Sequence, residues 1–127
     1  METSDAINRV ETCPTLIRVF YQRSAHHSIT DFMKSFPSPE IYVYTWEDAT
    51  LKEISYTISK SIANKDEIIQ AMSIKMLEPN LNDGGWIIKP LGVVDLVENK
   101  TLQTGTLKQM GWKPGFLFDV AYTLAQK

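Results

Sequence analysis

Between Ile41 and Ala63 the apolar positions change from a strand period to a helix period. Ile41 to Trp46 (IYVYTW) are all β-branched or aromatic, which suits a pleated, half-buried strand. After Glu47-Asp48-Ala49, the residues Leu51, Ile54, Ile58 and Ile62 recur at helical spacing and form one stripe, with Lys52, Glu53, Ser59 and Lys60 mostly off it. Thr50 followed by Glu53 reads as a capping box. The Thr50 hydroxyl accepts the Glu53 N–H, and the Glu53 carboxylate returns to the Thr50 N–H. Asp48 and Glu53 also suit the positive end of the helix dipole. A helix with one apolar face lies on one sheet, so the rest of the chain must supply that sheet.

Further strands are predicted at Thr15–Tyr21, Met72–Leu77, Trp86–Val94 and Phe116–Leu124. Pro90 and Gly92 mark the third of these as an edge or a bulge. Residues 1–12 are polar and expected to be a flexible N-terminal segment. Gln22–Ser28 reads as a loop carrying His26-His27, and Ile29–Phe36 as a short turn of helix. Pro37-Ser38-Pro39 breaks the chain before the strand at Ile41. Residues 66–71 are ambiguous. Glu78–Gly85 reads as a loop, and Asn99–Lys113 as a compact loop closing at Lys113-Pro114-Gly115.

The order β, β, α, β, β, β predicts an α+β fold over residues 13–124, with a mixed sheet of four or five strands and one main helix on one face. The short link between the first two strands favours a hairpin, and the helix a right-handed crossover. This is a β-grasp. Ferredoxin-like arrangements mostly need a second helix that the pattern does not supply.

Strand parity then divides the residues between two faces. The predicted core is Ile17, Val19, Val43, Thr45, Leu51, Ile54, Ile58, Ile62, Phe118 and Val120. Leu16, Arg18 and Phe20 point away from the helix, as do Tyr42, Tyr44, Trp46, Leu117, Asp119 and Ala121. An open face with Phe20, Tyr42, Tyr44 and Trp46 around Arg18 is an apolar patch of the kind used for docking, in residue types enriched at interface hot spots. Leu16, Arg18, Phe20, Tyr42, Tyr44, Trp46 and Leu117 are therefore the expected partner-binding residues. The bland alternative is that Gln22–Pro39 or Asn99–Trp112 folds over this face.

Composition narrows the function. The chain has 127 residues, 43% hydrophobic and 22% charged, enough for one domain with a real core. A net charge of −2 lacks the basic surplus usual in nucleic-acid binders. An RNA-binding module using the sheet aromatics is the alternative reading. Cys13 is the only cysteine, which excludes an internal disulfide and fits a reducing compartment. A buried or half-buried thiol is the default for it. No apolar run approaches the ~20 residues of a membrane span, and METSDAINRVE lacks a signal-peptide core. Adjacent His26 and His27 point apart in extended chain, with no further Cys or His at ligand spacing, so loop packing and hydrogen bonding are favoured over metal. Asp48 is explained by the helix start; Asp31 and Glu47 form no evident acid pair. Cys13 has no identifiable base, and Gly84-Gly85 is internal, so conjugation as a modifier is not expected. No enzyme, metal, cofactor or small-molecule substrate is expected.

The strings TCPTLIRVF, His26-His27, IYVYTWEDATLKEI and the closing TLQ…GFLFDVAY resemble the eighteen-kilodalton Sin-three-associated polypeptide family over about Thr12 to Thr123. The resemblance implies a ubiquitin-like fold and a non-enzymatic adaptor, in the nucleus first and the cytoplasm second. It implies membership of Sin histone-deacetylase corepressor assemblies. It also implies membership of the apoptosis- and splicing-associated complex with Acinus and an RRM-containing splicing activator, which attaches to exon junctions. The expected partners are thus an Acinus-like or Sin scaffold and an RRM-containing splicing factor, with no membrane. The chain departs from the family at EPNLNDGGW, where relatives have a longer, more basic segment, and in lacking a Pro-rich, basic tail.

Overall fold

The computed structural model describes residues 8–125, with the side chain of Lys34 excepted. The elements in chain order are β1 (Thr15–Arg23), α1 (Ile29–Lys34), β2 (Glu40–Thr45), α2 (Leu51–Ile62), β3 (Ile69–Pro79), β4 (Trp86–Asp95), β5 (Lys100–Thr101) and β6 (Leu117–Leu124). Among the described residues, six strands form one sheet in the order β2-β1-β6-β3-β4-β5. β1 and β6 run parallel, and every other neighbouring pair is antiparallel. With α2 crossing from β2 to β3, this is the ubiquitin-like β-grasp. The sixth strand is a two-residue piece pairing with Val94 and Asp95, too short to carry any period.

The α2 stripe decides where the core sits. Leu51, Ile54 and Ile58 are buried against Ile17, Val19, Val43, Met72, Ile74, Met76, Phe118 and Val120. Thr45 is buried among them, and Ile62 packs half-buried at the margin. The segment read as a compact loop adds Leu107, Met110 and Trp112 to the same core. β3 begins before Met72, at Ile69, because a bulge between Ile69 and Ala71 breaks the alternation that would have marked its start. Opposite Ile74 and Lys75 the ladder shifts at Gly92 and Pro90, the bulge those residues signal. β1 and β2 pair as expected, although α1 lies in the link between them.

Thr50 caps α2: its Oγ1 accepts from Glu53 N at 3.3 Å. The Glu53 carboxylate does not complete the expected box but binds Arg9 Nη1 at 2.7 Å. A reciprocal box forms on α1 instead, where Ser28 Oγ accepts from Asp31 N and Ser28 N donates to Asp31 Oδ2. Thr50→Ala should therefore lower stability by roughly 0.5–2 kcal/mol with the fold unchanged. Urea unfolding followed by circular dichroism measures this, and an unaltered midpoint would contradict the cap.

Of the segment expected to be flexible, residues 1–7 lie outside the described residues. Residues 8–12 pack on the start of α2. Arg9 donates to Asp48 Oδ1 at 2.7 Å, and its guanidinium lies 5.0 Å from the centre of the Trp46 ring. The Glu53 and Asp48 carboxylates hold the Arg9 pKa above its ordinary value. Cys13 is exposed rather than buried or half-buried, because the chain joins the sheet only at Thr15. No helix among the described residues is long and apolar enough to cross a membrane.

Candidate partner-binding face

The sheet face away from α2 splits into a covered half and an open half. Parity sends Phe20, Leu77 and Leu117 to this face, where they form a second buried cluster with Phe32 of α1. Phe32 meets the Phe20 ring edge-on at 5.2 Å, and Phe36 stacks on Phe20 at 5.5 Å. Phe20 and Leu117 are accordingly 0% and 3% exposed. They point to the predicted face but are not on its surface, because the Gln22–Pro39 connection closes over them. The Asn99–Trp112 segment, the other candidate cover, turns to the α2 side.

That cover is held by a buried carboxylate. Asp119 on β6 is 1% exposed. It accepts from His26 Nδ1 at 2.8 Å, from His27 Nδ1 at 2.7 Å and from His27 N at 3.1 Å. His26 Nε2 lies 2.9 Å from Ser73 Oγ. With His26 neutral and donating Nδ1–H, Ser73 Oγ–H donates to Nε2. The sequence signal here is limited: parity put Asp119 on this face, and His26-His27 read as loop hydrogen-bonders, but nothing linked the two. The Ser73–His26–Asp119 connectivity is that of a nucleophile, base and orienting acid. Here Asp119 also binds the ring and backbone of His27, so the cluster pins the entry to α1 onto the sheet. Among the described residues no group of three or more His, Cys, Asp or Glu is arranged to hold a metal ion.

The open half lies on β1 and β2. Leu16 pairs across the ladder with Tyr44, and Arg18 with Tyr42. Leu16, Tyr42 and Tyr44 are 41%, 58% and 64% exposed. Arg18 is half-buried between the covered and open halves. Its guanidinium lies 4.3 Å from the Phe36 ring centre and its Nε binds the Glu40 carboxylate. Glu40 raises the Arg18 pKa above its ordinary value. Phe36 continues the exposed apolar surface beyond Arg18. Trp46 leaves the expected set geometrically. β2 ends at Thr45, so parity no longer applies, and the half-buried Trp46 ring lies under Arg9 with Nε1 donating to Thr12 O at 2.7 Å. Of the seven residues expected together, the structure gathers Leu16, Arg18, Tyr42 and Tyr44 into one strip, places Phe20 and Leu117 beneath α1, and turns Trp46 to the N-terminal segment. Phe36 joins the strip, from a segment whose pattern indicates only a turn of helix.

The family model of Sin3 associated polypeptide p18 (SAP18) matches residues 6–122. The "Histone deacetylase complex subunit SAP18" of Bos taurus is 29% identical over 124 residues, covering 96% of this chain and 81% of the relative. The protein of the same name from Drosophila melanogaster is 28% identical over 118 residues, covering 92% of this chain and 79% of its own. That from Arabidopsis thaliana is 28% identical over 121 residues, with the same coverage of 92% and 79%. A family match running from the N-terminal segment to the last strand places the chain in the Sin3 associated polypeptide p18 family.

Proposed function

We propose that this protein is a non-enzymatic adaptor subunit of a nuclear histone-deacetylase corepressor complex, and that it docks a scaffold protein through the Leu16–Tyr42–Tyr44 strip. The observation that carries the reading is the exposure of these apolar and aromatic residues side by side on the sheet, where a soluble domain gains nothing by leaving them bare. The relatives named as deacetylase complex subunits support the choice of assembly. By family resemblance the same strip serves an Acinus-like scaffold in the splicing-associated complex, with an RRM-containing factor as a further member. That second membership extends the role to mRNA processing.

Direct RNA binding is the competing use of exposed tyrosines. It needs cationic side chains to neutralise phosphates, yet Arg18 is paired with Glu40, and Arg9 with Asp48 and Glu53. The protein reading is therefore favoured.

The test is affinity capture from nuclear extract with the tagged chain, followed by immunoblotting for the Sin scaffold and a deacetylase assay on the eluate. The wild-type chain should recover both. A Tyr42→Ser/Tyr44→Ser variant with an unchanged circular dichroism spectrum should recover about tenfold less or lower still, as expected when hot-spot aromatics are lost. Equal recovery by the folded variant would contradict the assigned surface; no recovery by the wild type would contradict the assembly.

A further inference from the structure

β2 is the end strand of the sheet, and its hydrogen-bond phase can be fixed. Tyr21 N–H donates to Pro39 O at 3.3 Å, one step beyond the Phe20–Glu40 pair. Bonded and non-bonded pairs alternate in an antiparallel ladder. Ile41, Val43 and Thr45 therefore turn their backbone groups to β1, while Tyr42 and Tyr44 turn theirs outward. The other side of β1 agrees: Ser24 N–H donates to Tyr122 O, so the even-numbered residues of β1 face β6 and the odd-numbered ones face β2. Among the described residues, no backbone hydrogen bond reaches Tyr42 or Tyr44 from the outer side.

The two edges of the sheet are treated differently. Sheet proteins usually blunt a free edge with charge, proline, a bulge or a cover. The β4 edge carries all four: Lys89, Pro90, the shift at Gly92, and a cover made of β5 and of side chains on its carbonyls. Gln103 Nε2 donates to Leu91 O at 3.1 Å, and Thr101 Oγ1 to Val93 O at 2.8 Å. From Ile41 to Thr45 the β2 edge has no charged residue and no proline, and its pairing to β1 runs without a shift. Its outward N–H and C=O groups belong to the same two tyrosines whose side chains stand exposed on the face.

We propose that β2 accepts an extended segment of the partner polypeptide as an added strand, with backbone bonds to Tyr42 and Tyr44 and apolar side chains at alternate positions lying against the two rings. Register and side-chain contact then come from the same residues, the pattern of strand addition. This rests on the reading of the Leu16–Tyr42–Tyr44 strip as a docking surface and specifies what occupies it. An occupant in any other conformation leaves those backbone groups without protein partners.

The experiment is amide hydrogen exchange, followed by NMR, on the uniformly labelled full chain, alone and saturated with recombinant Sin scaffold, then in a second series with the Acinus-like scaffold. In the free chain the Tyr42 and Tyr44 amides should exchange about tenfold or more faster than those of Ile41 and Val43, which are bonded to β1. On saturation with a scaffold that binds, the Tyr42 and Tyr44 amides should slow by about a hundredfold, the Ile41 and Val43 amides changing less. Binding that leaves the two tyrosine amides as fast as before would overturn strand addition while the docking surface stands. Absence of binding by both scaffolds would overturn the docking reading and this inference with it.

Discussion

Asp119→Ala is expected to lower the unfolding free energy by about 3–5 kcal/mol, because several buried hydrogen bonds are lost at once. The carboxylate is 1% exposed, and three N–H groups converge on it. Alanine leaves those donors beside a small cavity with no acceptor, and each buried donor so stranded costs on the order of 1–3 kcal/mol. The damage should be local before it is global. Without the latch, residues 26–34 lose their hold on the sheet, and Phe20 and Leu117 lose the cover of Phe32. Asp119→Asn should fall between wild type and alanine, because a carboxamide keeps one acceptor but turns an N–H₂ toward a donor. Urea denaturation gives the stability, and amide exchange across α1 gives the location. A loss below about 1 kcal/mol would mean that the His26–His27–Asp119 cluster does not hold the cover in place.

Ile54→Ala should cost about 2–5 kcal/mol. Ile54 is 1% exposed at the middle of the α2 stripe, packed in the cluster that contains Ile17, Val43 and Val120. The cost combines the lost transfer energy of the removed carbons with the cavity left in a region ringed by strand residues that cannot collapse far. The denaturant slope should stay near wild type, because the surface exposed on unfolding hardly changes. An unchanged midpoint would mean that this face of α2 does not meet the sheet. By contrast, exposed sites such as Tyr42 and Tyr44 should shift stability by no more than about 0.5 kcal/mol each, which allows binding to be tested separately from folding.

The helix-side half of the fold is legible in the sequence because it obeys two simple periods. The α2 stripe, its Thr50 cap and the inward residues of β1, β2 and β6 follow from spacing alone. The other face is harder to read. Parity correctly sends Phe20, Leu117 and Asp119 away from α2, but whether a residue so placed is open or buried depends on a second cover. That cover is the six-residue α1, whose hold comes from Phe32 and from histidines 92 and 93 positions away from Asp119. Such distant pairing leaves no local pattern. Trp46 was misplaced for a different reason: one residue past the end of a strand, alternation says nothing, and the Arg9 side chain that covers its ring lies in a segment too polar to suggest packing. Tyr42 and Tyr44 are the part of the candidate site that sequence placed well, since both lie inside a strand whose inward positions are fixed by the main core.

The most direct measurement is the affinity of purified recombinant Sin scaffold for the wild-type chain and for Tyr42→Ser/Tyr44→Ser, by titration calorimetry, with the variant's unfolding midpoint measured on the same sample. The adaptor reading predicts a saturable complex for the wild type and an affinity weaker by about tenfold or more for a variant that is still folded. Wild-type affinity in the folded variant would contradict it.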